Sequence, residues 1–248
     1  DEHLGNVRKV VEHEPDILLD NGADLVALAL ESGRGSRIRG GTEETTSGDD
    51  RLRAEFAGKV PFPIIVINDS PLKQIVENKH AVGQGNVEAI MRMTNLMING
   101  RRFVIVGYGW CGRGMAQYIR AFGGQVAVAE LDPIKQLEAV MDGFRVASLA
   151  ALAPWGQFFC TATARERVVS SAAFALMPDG AILANSGHFP TEIDTAALRA
   201  ECKSERKLGS MLEEFTMPDG RRLILLTEGR MIELAGEGAK GNSIEAMD

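Results

Sequence analysis

Three cysteines, two tryptophans and two tyrosines are all that 248 residues contain. Cys111, Cys160 and Cys202 form no C-x-x-C pair and no metal-ligand spacing, so neither a disulfide framework nor a zinc or other metal site is expected. Positive charge is also short: 27 lysines and arginines stand against 34 aspartates and glutamates, a net charge of −7. No basic stripe is available to follow a phosphate backbone, which argues against nucleic acid as a partner. Long apolar runs are missing too. "PIIVI" and "LILL" fall far below the roughly 20 residues of a membrane-spanning helix, and no charged-then-apolar leader opens the chain. The expected location is the cytoplasm, with no membrane partner. The first residue is Asp1 rather than methionine, so a segment upstream of it is expected.

What is present is the balance of a globular protein, 45% hydrophobic and 25% charged residues, enough for one large or two modest domains. Residues 1–60 read as mixed and loop-rich. "DILLDNGADLVALALE" gives a short strand, a turn at Asn21-Gly22 and a helix from Asp24. The glycine-rich "SGRGSRIRGGTEETTSGDD" reads as an exposed loop, "FPIIVIND" as a buried strand, and "SPLKQIVENKH" as a helix capped by Ser70 with Pro71 in its first turn. Apolar residues at helical spacing continue from Asn86 to Ile98. Strands are then predicted at 102–106, 125–129, 157–161 and 181–185, alternating with helices at 113–121, 134–141, 168–176 and 194–202. Alternation of this kind requires parallel pairing through helical crossovers. Finally, Pro218-Asp219-Gly220 lies between two extended segments, a hairpin signal.

Gly107, Gly109 and Gly112 make G-x-G-x-x-G directly after the strand "RFVIV" and at the start of a helix. The first glycine suits a tight turn, the second lets a pyrophosphate approach bare backbone, and the third lets helix and strand pack closely. Trp110 and Cys111, inside the same turn, go with this cofactor site. The next strand ends in Glu130, about 20 positions on, where a carboxylate can accept hydrogen bonds from the ribose hydroxyls of the adenosine half. That charge would repel a 2′-phosphate, so the expected cofactor is NAD rather than NADP. The expected fold is α/β, a doubly wound (Rossmann-type) parallel sheet. Such a platform serves many chemistries and names no reaction.

Several stretches together resemble the S-adenosylhomocysteine hydrolase (adenosylhomocysteinase) family: "ILLDNGADL", "IRGGTEETTSG", "VINDSPLKQIVEN", "GYGWCGRG", "VAELDP", "NSGHFPTEID" and "DGRRLILLTEGRMIEL". They occur in that family's order and at close to its spacing, from about Asp16 to Asp248. The match begins inside the family's substrate domain, so the family's N-terminal portion and C-terminal extension are expected to lie outside this sequence. The resemblance implies a partial α/β substrate domain at 1–79, an NAD-binding Rossmann domain at 80–235, and a segment 236–248 returning toward the cleft. It also implies a homotetramer and a redox-neutral cycle on one nucleoside. The ribose 3′-hydroxyl is oxidised, the neighbouring C4′ proton becomes acidic and is removed, the 5′-thiolate leaves, water adds, and the ketone is reduced again.

The resemblance assigns catalytic roles to Lys73, Glu77, Glu44 and His188. Lys73 would help deprotonate the 3′-hydroxyl, Glu44 would sit near the ribose, and His188 near the substrate. Without the resemblance, Lys73 and Glu77 would read as an exposed i, i+4 ion pair on a helix. Thr45, Thr46, Ser47, Asn78 and Asn185 are assigned to the cofactor, and Asn21 and Asn242 to the substrate. This sequence departs from the family's pattern around that pocket. Asn21 stands where the family has an aspartate, and asparagine cannot take up a proton usefully. Glu77 replaces an aspartate, Gly241-Asn242-Ser243-Ile244 replaces Gly-His-Pro-Ser, Glu233 replaces a nicotinamide-contacting asparagine, and Val82 replaces a cysteine or threonine. Three readings follow: action on S-adenosylhomocysteine or a related nucleoside, a C3′-epimerase or other nucleoside-tailoring enzyme with bound NAD, and a non-catalytic NAD-binding regulator.

Overall fold

The computed structural model describes residues 2–235 and 238–247; of the expected C-terminal segment 236–248, positions 236, 237 and 248 lie outside the described residues. The chain divides into two compact units, 1–74 and 75–248. The division falls inside a run that is helical from 71 to 94, a few residues ahead of the expected junction after 79.

In the first unit, helix α1 (Glu2–Glu12) precedes strand β1 (Ile17–Asp20), helix α2 (Asp24–Glu31), strand β2 (Gly40–Glu43), helix α3 (Thr46–Glu55) and strand β3 (Ile64–Val66). The three strands are parallel in the order β1-β2-β3. Two expectations are corrected here. The glycine-rich stretch is not a loop throughout, because it supplies the central strand. Gly41 lies so near β1 that a Cβ would sit 3.2 Å from the Leu18 carbonyl oxygen, an approach that favours glycine in a strand. The same stretch then starts α3, where the Thr45 side chain caps the first turn by accepting from the Gly48 N–H at 3.0 Å. "FPIIVIND" does form a strand, but at the sheet edge, with Ile65 69% exposed. One sheet face packs Leu18 among Val11, Val26, Ala29 and Leu52. Strand alternation turns Ile17 and Leu19 the other way, 59% and 77% exposed.

The residues across the division are wound as a π-helix over Lys73–Ala81, whose first two residues belong to the first unit, and the second unit continues as helix α4 over Val82–Thr94. Helix α4 ends short of the expected Ile98 because Asn95 adopts a left-handed conformation (φ 53°) and closes it. Strand β4 (Arg102–Val106), helix α5 (Trp110–Ala121), strand β5 (Gln125–Ala129), helix α6 (Pro133–Met141) and strand β6 (Arg145–Val146) follow. Next come helix α7 (Leu149–Leu152), strand β7 (Phe158–Thr161), helix α8 (Ser171–Phe174), strand β8 (Ala181–Asn185), helix α9 (Thr195–Glu201), and strands β9 (Ser204–Lys207), β10 (Leu212–Thr216) and β11 (Arg222–Leu226). The strand order is β6-β5-β4-β7-β8-β11-β10-β9, parallel from β6 to β11 and antiparallel across β10 and β9. From β6 to β11 this is the doubly wound order, and the direction of winding reverses between β4 and β7. Both faces are covered, as a parallel sheet requires. Phe103 and Ile105 point into a core with Ile90, Met115 and Ile119, while Val104 packs with Phe159, Phe174, Leu183 and Phe215 on the opposite face.

Candidate functional site

The three glycines after β4 occupy three different steric situations. Gly107 has φ 96°, open to glycine and costly for other residues, and a Cβ there would lie 2.6 Å from the Ala162 carbonyl oxygen. At Gly109, the N-cap of α5, nothing lies within 4 Å of the Cβ position. Space is therefore left at the end of the helix whose free N–H groups attract an anion. At Gly112 a Cβ would overlap the Gly107 carbonyl oxygen, so helix and turn touch backbone to backbone. A pyrophosphate fits a turn with this combination. Between them, Tyr108 is fully buried and its hydroxyl donates to Asp142 at 2.7 Å; burial first, and that bond second, push its pKa up. Trp110 and Cys111 are half-buried, and the Arg113 guanidinium lies 4.7 Å from the Trp110 ring.

Glu130 closes the other side of this turn. One carboxylate oxygen accepts from the Tyr108 N–H at 2.6 Å and the other from the N–H groups of Leu131 and Asp132 at 2.7 and 3.0 Å. The side chain thus braces the glycine turn against the end of β5. It keeps lone-pair capacity beyond those three bonds, since a carboxylate offers about four acceptor sites.

Across the winding reversal, the ends of β7 and β8 are tied together by buried polar groups. Asn185 donates to the carbonyls of Gly187, Phe189 and Gly229 and accepts from Thr161 Oγ1 at 2.9 Å and from the Gly187 N–H at 2.7 Å. Its amide, expected at the cofactor, is taken up by the protein. His188 lies in the loop just beyond β8, its ring edge-on to Phe189 at 4.6 Å between centroids. Glu192, which sequence reasoning missed, is 1% exposed and accepts from Thr163 and Ala164. Burial raises its pKa, and the donated bonds oppose that shift. Burial also pushes the Cys160 thiol up to about 12, which leaves it inert as a nucleophile.

In the first unit the structure brings Lys73, Glu44 and Asn21 together. Lys73 Nζ lies 3.9 Å from Glu44 Oε1, with the lysine side chain 10% exposed, which removes the reading of an exposed surface lysine. Asn21 Nδ2 donates to Glu44 Oε2 at 3.1 Å. Two further carboxylates, also missed, hold the turns beside Asn21 and Glu44. Glu43 is fully buried and accepts from the N–H groups of Gly22, Ala23 and Thr45 and from Thr45 Oγ1. Asp20, its partner in register, accepts from the N–H groups of Asn21, Leu25 and Val26. Burial, and to a lesser degree the Glu43 charge, raise the Asp20 pKa, while those three bonds act against the shift. Ser47 Oγ donates to Thr45 Oγ1 at 3.1 Å, and Thr46 Oγ1 accepts from Asn68 at 3.0 Å.

The remaining expected residues belong to the second unit. Asn78 is buried on the π-helical stretch. Asn242 Nδ2 donates to Glu77 Oε1 at 3.1 Å, so an expected substrate residue meets an expected catalytic one. Glu233 is buried and accepts from Asn86 Nδ2 at 3.3 Å, and the same amide donates to Ser186 Oγ at 3.0 Å. Among the described residues Asn86 Oδ1 and Asn242 Oδ1 are buried without a donor. Val82 is buried in the first turn of α4. No group of three or more metal-ligating side chains occurs among the described residues, and no described helix is long and apolar enough to cross a membrane.

A family model described as "S-adenosyl-L-homocysteine hydrolase, NAD binding domain" matches residues 78–239. An adenosylhomocysteinase of Aeropyrum pernix is 44% identical over the whole of this chain and 60% of its own length. An S-inosyl-L-homocysteine hydrolase of Methanopyrus kandleri is 42% identical, again over the whole chain and 59% of its own length. The chain therefore spans about 60% of the length of the curated relatives it matches. Among solved structures, D-lactate dehydrogenase from Escherichia coli superposes with a TM-score of 0.54 at 14% identity, covering 76% of this chain and 64% of that one. The pyruvate reductase of Chlamydomonas reinhardtii gives a TM-score of 0.53 at 15% identity, over 74% and 58%. These two likenesses bear on the fold alone.

Proposed function

Because this chain belongs to the S-adenosyl-L-homocysteine hydrolase family and carries its NAD-binding domain, we propose that it is part of an enzyme acting on the ribose of a homocysteine-linked purine nucleoside. The observation that carries the reading is the Lys73-Glu44-Asn21 group: an amine with 10% exposure, 3.9 Å from a carboxylate, with the turns around Asn21 and Glu44 held by the buried Glu43 and Asp20. When bound, NAD would supply the acceptance and return of a hydride at C3′. Lys73 takes the proton of the ribose 3′-hydroxyl as that carbon is oxidised, and Glu44 orients the amine and hydrogen-bonds a ribose hydroxyl. Gly107, Gly109 and Gly112 receive the pyrophosphate, and Glu130 the adenosine ribose of the cofactor. His188 and the Glu77-Asn242 pair line the substrate side.

Relatives named for an adenosyl and for an inosyl substrate match at nearly equal identity, so the purine base stays open to either. A second reading is favoured by one residue. Asn21, bonded to Glu44, can orient a substrate but cannot remove the C4′ proton. Oxidation and return of hydride at C3′ without elimination, as in an epimerase, fits that loss. Incubation with S-adenosylhomocysteine, S-inosylhomocysteine and adenosine in D₂O separates the two. Homocysteine release with deuterium at C4′ is expected on the first reading; deuterium-free nucleoside inverted at C3′ would replace it. A Lys73→Ala protein is expected to lose activity by at least about a hundredfold, and full turnover in that variant would overturn the role given to Lys73; NAD binding by the unaltered protein with no turnover of any of the three compounds would leave an NAD-binding regulator.

A further inference from the structure

The crevice at the winding reversal has two walls, and the glycine turn supplies only one. We propose that Glu192 is a positioning residue for NAD: its buried carboxylate fixes the opposite wall, the loop after β7, together with the start of the His188 loop. The proposal rests on cofactor binding at the glycine turn.

The wall is identified by contact. The Cβ that Gly107 lacks would lie 2.6 Å from the Ala162 carbonyl oxygen and 2.8 Å from Thr163 Cγ2, so residues 162–163 face the glycine turn directly across the ends of β4 and β7. Open α/β sheets take their ligands at this place. The loop is held to an unusual degree by one side chain. Thr163 donates its N–H at 2.9 Å and its hydroxyl at 2.8 Å to Glu192 Oε2, and Ala164 donates its N–H at 2.8 Å to Oε1. Ala164 has φ 52°, a left-handed conformation that a non-glycine residue keeps only where its surroundings enforce it. On its far side the carboxylate packs on Gly187, where any Cβ would overlap Oε1. Gly187 immediately precedes His188. A single acid therefore sets both the wall against the glycine turn and the origin of the histidine loop.

The test compares NAD dissociation constants and thermal midpoints of the purified protein and its variants. Glu192→Gln is expected to weaken NAD binding about ten- to a hundredfold, by analogy with the loss when residues that support metal ligands are removed. A core control, Phe174→Leu, should lower the midpoint and leave the dissociation constant alone. Gly187→Ala should reproduce the binding loss, because its methyl group must displace the carboxylate. In a Glu192→Ala background the collision with the carboxylate is gone and only the 3.1 Å approach to Asn185 Oδ1 remains, so adding Gly187→Ala should weaken binding little further. If Glu192→Gln does not fold, Thr163→Val carries the test, since it removes one donor and leaves the acid in place; it should weaken NAD binding severalfold. Binding by Glu192→Gln, or by Thr163→Val, within about twofold of the unaltered protein, or independent effects of the Glu192→Ala and Gly187→Ala changes, would overturn the proposal. Failure of the unaltered protein to bind NAD would instead overturn the cofactor reading, and the role of Glu192 would fall with it.

Discussion

Gly109 and Gly112 lie on one turn, yet alanine at each should do opposite things. A Cβ at Gly109 enters open space, so Gly109→Ala should melt within about 2 °C of the parent, a surface-sized effect, while NAD binding falls steeply in titration. A Cβ at Gly112 overlaps the Gly107 carbonyl. Gly112→Ala should therefore lose about 1–3 kcal/mol by overpacking, visible in calorimetry without any cofactor. Asp20 supplies a pH signature. Its pKa is raised by burial in the folded protein, so the native state binds a proton more readily than the unfolded chain. Its contribution to stability is therefore fully present below the ordinary aspartate range and is lost as pH rises through the raised value. The melting difference between Asp20→Asn and the parent should move in the variant's favour as pH is raised from about 4; a difference that is flat with pH would refute this. The glycine turn was legible in sequence because its spacing has a mechanical cause. Glu43, Asp20 and Glu192 were not: the donors to Glu192 and some of those to Glu43 come from loops 20 to 29 residues away, and the nearby donors of Asp20 are main-chain N–H groups, which carry no side-chain pattern.

At the level of elements, legibility followed burial on both faces. Strands β4, β5 and β8 fall at their expected bounds because each is a short apolar run between turn residues, and α6 begins at Pro133 behind an Asp132 cap. The first unit was harder. Its central strand is Gly-Gly-Thr-Glu, polar and glycine-rich, and its identity as a strand comes from β1 and β3 on either side rather than from propensity. The π-helical winding of Lys73–Ala81 has no sequence signature. It is coupled to packing: a Cβ at Gly114 would overlap the Lys79 carbonyl oxygen, and one at Gly83 would sit 2.7 Å from Gly114 backbone. These glycines let the two helices cross with backbones touching. Gly114→Ala should separate them, lowering the thermal midpoint and speeding hydrogen exchange at residues 75–83, whereas Gly5→Ala, open on all sides, should do neither.

For the whole molecule, the division at residue 74 predicts two calorimetric transitions. NAD at about 100 times its dissociation constant should stabilise the larger unit, which carries the glycine turn and Glu130, by about 2.7 kcal/mol, a rise of several degrees in that transition; no shift there would refute the assignment. The smaller unit leaves Ile17, Leu19 and Ile65 solvent-facing on a three-stranded sheet, a surface that should take up a hydrophobic dye and do so less after Leu19→Lys. The large sheet behaves differently at its rims. One rim is β6, two residues long, and the other is β9, Ser-Glu-Arg-Lys with every side chain exposed. A foreign strand would find too little main chain to grip at the first and a row of fixed charges at the second. Among the described residues both rims of this sheet therefore disfavour main-chain pairing with a further strand.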